Sequence, residues 1–195
     1  MYGTKYPLKY NSIIDQIILI FAEKMKCSFK QMGFNPNGIT SLSLLASCLM
    51  LHYLIKKKYK LASIFLFLSY FFDCLDGLFA RSYNMVTKFG DYYDHLSDLL
   101  TIIFIIYGLY NSSLKVKTKK TIFLITFILG LIASTHMGCL HNMYEKKFES
   151  PTLDILGGLC KNSNWALDLK EYGMGTFVFI VVILIFNIEK IDNIL

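Results

Sequence analysis

The sequence predicts an all-α fold: a polytopic membrane bundle of five to six transmembrane helices, preceded by an interfacial amphipathic helix. Of the 195 residues, 54% are apolar and only three are prolines, and the mean hydropathy is +0.46. The apolar residues form runs close to the length that crosses a bilayer. We therefore expect one membrane-embedded domain over 1–195, with an interfacial helix over 11–31 and the bundle over about 37–188.

The segment 11–31 mixes isoleucine and phenylalanine with acidic and lysine side chains. This pattern predicts a helix that lies along the interface rather than across the membrane. A soluble helix packed on a neighbour is the alternative. The sequence Pro36-Asn37-Gly38 then breaks the chain, and Asn37 is expected to cap the next helix.

Apolar runs define the predicted spans, with a polar turn expected from Arg81 to Phe89 and a loop from Lys115 to Lys120. The run Leu153 to Cys160 is too short to cross alone, so a sixth span after Ser150 stays open. The five spans are Ile39 to Ile55, a helix from Leu61 that continues past Phe72, a helix from Gly90 to Tyr110, Thr121 to Leu140, and Met174 to Ile188.

The net charge is +6, and the lysines stand in short clusters between apolar runs. This distribution favours anionic lipid headgroups over nucleic acid as partners. Lysines flank both ends of the spans, so the positive-inside rule does not choose an orientation. The five cysteines are widely spaced, and we expect them to be packing residues rather than zinc ligands or a disulfide framework.

Four aspartates interrupt the apolar chain. Spacings of three and four residues put each pair on one face of its helix, and antiparallel packing of the two helices would bring the pairs together. A carboxylate at membrane depth is costly and normally faces a polar cavity, a counter-ion or a metal. The full pattern is Asp73-x2-Asp76-Gly77-x2-Ala80-Arg81-x8-Gly90-x3-Asp94-x3-Asp98.

The chemistry of such a cluster points to divalent cations. Crowded carboxylates repel unless they are protonated or neutralised, and hard oxygen ligands favour magnesium, manganese or calcium over zinc. Two ions would suit a diphosphate. Gly77 within a helix indicates a close neighbour, and Arg81 is able to bind phosphate oxygens. The aspartate pairs by themselves leave open a proton-relay or ion-pathway role in a transporter.

The whole pattern resembles the signature of the CDP-alcohol phosphotransferase (CDP-alcohol phosphatidyltransferase) family at all eight defining positions. The Pro36-Asn37-x-Ile39-Thr40 segment extends the resemblance, which reaches about Leu140. It implies a six-helix transferase of phospholipid biosynthesis, usually a homodimer. Such an enzyme moves a substituted phosphate from a CDP-linked donor to an alcohol and releases CMP, with at least one substrate a lipid.

The resemblance also implies roles for residues by motif position. Asp98 would be the general base, and the active site would face the cytoplasm, in an endoplasmic-reticulum-like or other internal membrane if the source is eukaryotic. The metal ligands, for Mg²⁺ or Mn²⁺ and for two ions, would be Asp73, Asp76, Asp94 and Asp98. The nucleotide site would comprise Asn37, Thr40, Asp73, Gly77, Ala80, Arg81 and Gly90.

Two questions stay open at this point. His95 after Asp94 is similar to the family branch that uses CDP-choline or CDP-ethanolamine, whereas the short chain resembles the branch that uses CDP-diacylglycerol. Two other functions also fit an intramembrane aspartate cluster. One is an intramembrane prenyltransferase, whose motifs bind diphosphate through magnesium but lack the Gly-x2-Ala-Arg-x8-Gly frame. The other is a transporter or a non-catalytic scaffold.

Overall fold

The computed structural model describes residues 3–144 and 169–195. Helices make up this part of the chain, and no strand occurs among the described residues. The predicted all-α fold class is therefore confirmed. The helices are α1 (Ile13–Gln31), α2 (Pro36–Ile55), α3 (Tyr59–Ser82), α4 (Lys88–Tyr110), α5 (Val116–Tyr144), α6 (Met174–Phe186) and α7 (Ile188–Ile194).

Three helices, α2, α3 and α5, are long and apolar enough to cross a bilayer, and α6 with α7 makes a fourth span if this pair, bent by 65°, is counted as one. The chain is therefore an integral membrane protein. Helix α4 has 23 residues, but Asp94, His95 and Asp98 lower the hydropathy of its first half. The count of five to six spans stays a prediction, and the segment after Ser150 lies outside the described residues.

Helix α2 begins earlier than predicted. Its cap is Asn35, whose side chain accepts a hydrogen bond of 2.7 Å from the backbone N–H of Gly38. Pro36 occupies the first turn, where its missing N–H costs no hydrogen bond. The expectation that Asn37 caps the helix is therefore wrong, because Asn37 already lies in the first turn.

The polar turn between α3 and α4 is shorter than the sequence indicates. Arg81 belongs to the last turn of α3, and α4 begins at Lys88 rather than at Gly90. The Thr87 hydroxyl caps α4 by accepting a 3.0 Å hydrogen bond from the backbone N–H of Gly90. The predicted loop Lys115–Lys120 is likewise helical from Val116 onward, since lysine is a good helix former.

The aspartate-bearing helices α3 and α4 were expected to pack on each other. Instead, both pack along α2, and these two interfaces are the most extensive of the described fold. Three small buried side chains of α2, Ser43, Ala46 and Ser47, let the neighbouring backbones approach closely, as is typical of membrane helix pairs. With α2 as the shared partner, α3 and α4 stay apart enough to leave a cavity between them.

A continuous set of hydroxyl contacts joins α3, α2 and α4 inside the bundle. The Ser43 hydroxyl donates to the Ser69 carbonyl at 2.9 Å. The Ser47 hydroxyl lies 2.7 Å from that of Ser69 and 2.6 Å from that of Thr101. Thr101 also donates to the Ser97 carbonyl at 3.0 Å. Each of these four hydroxyls thereby has a hydrogen-bond partner inside the bundle.

Helix α1 has two apolar faces. Its buried face, which includes Ala22 and Phe29, packs in one cluster with Leu75, Leu78 and Phe79 of α3. The other face is exposed and carries Ile13, Ile17, Ile20, Phe21 and Met25. An exposed apolar stripe on a helix that also bears lysines is typical of an interfacial segment. That α1 lies along the interface remains a prediction.

Asp15 connects α1 to two other helices. It accepts a 2.7 Å hydrogen bond from the Tyr70 hydroxyl of α3 and a 2.9 Å bond from the Ser12 hydroxyl. Its carboxylate also lies against the start of α6, where a Cβ atom added at Gly175 would collide with Asp15 Oδ1. A carboxylate beside a helix N-terminus is favoured by the helix dipole. Asp15 therefore holds α1 against the bundle. Its partner Tyr70 lies one helical turn before Asp73 on α3.

The cysteines differ from the prediction at one position. Cys27, Cys48 and Cys74 are free thiols, as expected. Cys139 is disulfide-bonded, and its partner lies outside the described residues. The expectation that all five are packing residues is therefore wrong for Cys139, because wide sequence spacing does not prevent two thiols from meeting in the fold.

Candidate active site

Three of the four signature aspartates meet at one point between α3 and α4. Asp73, Asp76 and Asp94 each contribute a carboxylate oxygen, and these oxygens all lie within 4.8 Å of one another. Asp76 is buried, with 4% of its surface exposed. The predicted convergence of the two helix pairs is therefore confirmed for these three side chains.

Asp98 stands beside this group rather than within it. Its carboxylate is close enough to Asp73 and Asp94 to interact electrostatically with both, and it lines the same cavity. A carboxylate at the edge of such a group has an oxygen available to accept a proton from a bound substrate.

The donor set fits a divalent cation. Asp94 Oδ1 is buried and has no hydrogen-bond partner among the described residues, although a buried polar oxygen normally has one. An additional ligand for this atom would be a cation, since all its near neighbours in the cluster are acceptors. Carboxylate oxygens are the ligands that magnesium and manganese prefer.

Thr40 of α2 holds the deepest carboxylate. Its hydroxyl lies 2.6 Å from Asp76 Oδ2 and 3.2 Å from the Pro36 carbonyl. Thr40 is itself buried, with 3% of its surface exposed. Because the carboxylate is the stronger acceptor, this hydroxyl fixes Asp76 in place from the neighbouring helix.

Arg81 lies directly over Gly77 one turn earlier on α3. A Cβ atom at Gly77 would lie 3.0 Å from Arg81 Nη2 and 3.2 Å from Nη1. Arg81 Nε donates a 2.6 Å hydrogen bond to the Gly3 carbonyl. The close neighbour that the helical glycine indicated is thus the arginine, whose guanidinium is held at the polar end of the cavity.

The cavity beside the aspartates has a volume of about 700 Å³. Its polar end is formed by Asp73, Asp94, Asp98, Arg81 and Lys5. Its other end is apolar and extends between α4, α5 and α6. The apolar lining includes Ile102, Ile106, Phe123, Phe127, Leu131 and Phe177. A cavity with one charged and one apolar end matches an amphiphilic molecule.

The residues predicted to bind nucleotide fall into two groups. Asp73, Gly77 and Arg81 line the cavity. Asn37, Thr40, Ala80 and Gly90 are not part of that lining. Asn37 Oδ1 would lie 3.1 Å from a Cβ atom at Gly90, so α2 and α4 approach closely at this point. Thr40 contacts the cluster through Asp76. The nucleotide-binding role of all seven remains a prediction.

Two polar groups near the site are not among the predicted residues. One is the hydroxyl set around Ser47, and the other is the Tyr70–Asp15 hydrogen bond. The serines of α2 stand in an apolar segment, which is a sequence signal for interhelical hydrogen bonding. Asp15 gave no comparable signal, because a charged residue in an amphipathic helix normally faces solvent.

Fold and site together define a class: a helical membrane protein with a buried carboxylate group suited to divalent cations. Residues 34–195 match the family described as CDP-alcohol phosphatidyltransferase. The chain belongs to this family.

One curated relative adds a more distant comparison. The archaetidylinositol phosphate synthase of Pyrococcus horikoshii is 31% identical over 87 residues, which cover 45% of this chain and 46% of the relative. The chain thus matches about half the length of that protein. No solved structure matches significantly.

Proposed function

We propose that the protein transfers a substituted phosphate group from a CDP-linked donor to an alcohol and releases CMP, in phospholipid biosynthesis. The observation that carries this proposal is the meeting of Asp73, Asp76 and Asp94 oxygens within 4.8 Å, in a chain that matches the CDP-alcohol phosphatidyltransferase family over residues 34–195. Family membership favours this reaction over the prenyltransferase and transporter alternatives.

Divalent cations, Mg²⁺ or Mn²⁺ and two in number, would be held by Asp73, Asp76 and Asp94. Asp98 is proposed as a further ligand from the edge of the group. When bound, such ions supply positive charge to the diphosphate of the donor. The unpartnered Asp94 Oδ1 and the close grouping of the three carboxylates support this assignment.

Asp98 is proposed as the general base. It accepts the proton of the acceptor hydroxyl, whose oxygen attacks the β-phosphorus of the donor; the bond between this phosphorus and the CMP oxygen breaks, and CMP leaves. Arg81, held over Gly77, orients phosphate oxygens of the donor through its N–H groups. Asn37, Thr40, Ala80 and Gly90 are proposed to support the nucleotide from the α2 and α4 side.

The apolar end of the cavity supports a lipid as one of the two substrates. Acyl chains would occupy the space between α4, α5 and α6, while the charged group stays near the aspartates. CDP-diacylglycerol as donor and diacylglycerol as acceptor both satisfy this arrangement. The Pyrococcus relative is named an archaetidylinositol phosphate synthase, and this product name supports a lipid among the substrates here. The His95 side chain lies at the cavity edge and is 69% exposed. It gives no strong support to CDP-choline or CDP-ethanolamine as donor.

The decisive experiment measures CMP release by the purified full chain. CDP-diacylglycerol, CDP-choline and CDP-ethanolamine are each offered with inositol phosphate, glycerol 3-phosphate, serine or diacylglycerol as acceptor. We expect CMP release with one donor class only, and only with Mg²⁺ or Mn²⁺. Absence of CMP release from every pair, while cytidine nucleotides still bind, would contradict the proposal.

A homodimer and a cytoplasmic active site complete the proposal. The dimer is tested by mass measurement of the protein in detergent. The orientation is tested by labelling of cysteines placed at Val86 and at Lys117, which lie at opposite ends of the spans. Labelling of position 86 from outside sealed vesicles of cytoplasmic-side-in orientation would contradict it.

A further inference from the structure

The end of the bundle opposite the aspartates is strongly basic and accounts for the chain's excess positive charge. The segments 56–60, 115–120 and 189–192 contain nine lysines and two carboxylates, whereas the whole chain has a net charge of +6. Tyr59, at the start of α3, precedes Asp73 by fourteen residues, which is about 20 Å along a helix. This charge therefore lies far from the reacting groups and has no part in the proposed chemistry.

A second cavity, of about 360 Å³, lies within this lysine-rich end. It is formed where the α2–α3 turn meets the bend between α6 and α7. We name it the distal pocket; its lining includes Lys57, Lys58, Tyr59, Lys60, Phe186 and Glu189. Three cations thus face one carboxylate in a space large enough for a phosphate-sized group.

The ammonium groups of the distal-pocket lysines take little part in the contacts of the fold. Among the described residues, the ammonium groups of Lys57 and Lys58 form no hydrogen bond or ion pair, and Lys60 Nζ lies 5.7 Å from the centroid of the Phe186 ring. By contrast, Lys119 Nζ donates to the carbonyls of Tyr110 and Ser112, at 2.8 and 2.6 Å. Lys119 closes the end of α4, whereas the pocket lysines are available to a ligand.

Lys57 occupies a position that normally holds glycine. Its φ is +57°, in the left-handed region that non-glycine residues avoid. The N–H groups of Lys57 and Lys58 bond to the carbonyls of Leu54 and Tyr53, at 3.0 and 2.9 Å, which is the Schellman pattern that favours glycine at this place. A lysine is therefore kept here against the local backbone preference.

Tyr59 forms part of the wall of the distal pocket. Only 5% of its surface is exposed, and its hydroxyl is buried without a hydrogen-bond partner among the described residues. The hydroxyls of Ser112 and Ser113 are near it but do not complete a hydrogen bond. The carboxylates of Glu189 and Asp192 are also near this hydroxyl, so a bound anion would contact the lysines rather than Tyr59.

From these observations we infer that the distal pocket binds the phosphate of an anionic phospholipid headgroup in the leaflet opposite the active site. The lipid source is favoured over a free anion by the surroundings: Leu61 and Phe186, which also line the pocket, are 39% and 44% exposed. These side chains face the place where acyl chains begin. Cations next to a span attract anionic headgroups, at about 1 kcal/mol per lysine.

Native mass spectrometry of the purified full chain tests this inference with phosphatidylglycerol as probe and phosphatidylcholine as the uncharged comparison. The test variant is Lys57→Gly with Lys58→Ser. The control variant, Lys117→Ser with Lys120→Ser, removes the same charge from exposed positions outside the pocket. We expect the test variant to bind phosphatidylglycerol roughly thirtyfold more weakly, since it lacks two lysines, and the control to bind it within twofold of the unmodified protein.

Three results would overturn the inference. Equal loss in both variants would show a diffuse charge effect, and no loss in either would show that the pocket is not used. Displacement of the lipid by millimolar inorganic phosphate would identify a free-anion site instead. Folding does not confuse the test, because glycine suits the backbone at position 57: the Lys57→Gly variant should melt at the same or a higher temperature than the unmodified protein.

Discussion

The hydroxyl of Thr40 lies 2.6 Å from Asp76 Oδ2 and so joins the N-terminal part of α2 to the most buried aspartate of the cluster. A hydrogen bond to a charged group contributes about 1.5–3 kcal/mol. Thr40 therefore acts on the proposed metal site by fixing one of its ligands, and its role is open to a direct test.

Replacing Thr40 with valine keeps the shape of the side chain but removes the hydroxyl. We expect the Mg²⁺ concentration for half-maximal binding of a CDP donor to rise roughly 10- to 100-fold. Thr40→Ser is the matched control and should stay within a few fold of the unmodified protein. Equal metal requirements in the valine and serine variants would show that the Thr40 hydroxyl does not support the metal site.

Substitutions of Asp98 and Asp73 are expected to impair different properties of the enzyme: turnover for Asp98 and metal-dependent binding for Asp73. Asp98→Asn should abolish CMP release while leaving metal-dependent nucleotide binding largely intact, because the proposed base stands beside the ligand group. Asp73→Ala should weaken that binding, since it removes a ligand from the centre of the group. Calorimetric titration of CDP at fixed Mg²⁺, together with the turnover assay, measures both. Retained turnover in Asp98→Asn would remove Asp98 from the role of base.

Removal of divalent cations should abolish transfer and lower the melting temperature. The carboxylates of Asp73, Asp76 and Asp94 lie close together and repel one another when no cation balances them. Chelation followed by addition of Mg²⁺ or Mn²⁺ should restore both properties. The Asp73→Ala variant serves as the comparison, and chelation should lower its melting temperature by a smaller amount. An equal decrease in both proteins would show that the cation acts at another site.

Gly175 is expected to tolerate no side chain, because Asp15 fills the adjoining space. Gly175→Ala should destabilise the protein by about 1–3 kcal/mol, as overpacking does. Gly130→Ala is the control, since its new Cβ would meet only the Phe177 ring at 3.6 Å, an ordinary contact. In an Asp15→Ala background the cost of Gly175→Ala should shrink; an unchanged cost in this double-mutant cycle would contradict the contact.

Ser47 is the shared member of the interhelical hydroxyl contacts. Ser47→Ala removes contacts to both Ser69 and Thr101, and hydrogen bonds between membrane helices average about 0.6 kcal/mol each. We expect a loss of about 1 kcal/mol in unfolding free energy, measured by denaturant titration in mixed micelles. Thr126→Ala provides the control, because within the described part of the chain the Thr126 hydroxyl bonds to carbonyls of its own helix alone.

Several features were predictable because they depend on local spacing. The all-α class follows from apolar runs, and the meeting of Asp73, Asp76 and Asp94 follows from intervals of three and four residues on two helices. Helix ends were less predictable. Asn35 rather than Asn37 caps α2 because Pro36 fits the first turn, and Arg81 stays in α3 because nothing in its own sequence ends that helix.

The sequence by itself determined the apolar composition of a membrane bundle and the identity of the acidic cluster. Both depend on residues close together in the chain: the apolar runs and the short intervals between aspartates. Tertiary structure decided the rest. It made α2 the common partner of α3 and α4, placed the Thr40 hydroxyl on Asp76, and brought Asp15 to Tyr70 and Gly175. These contacts join residues 36 to 160 positions apart, and only the packing of whole helices determines which side chains meet at such separations.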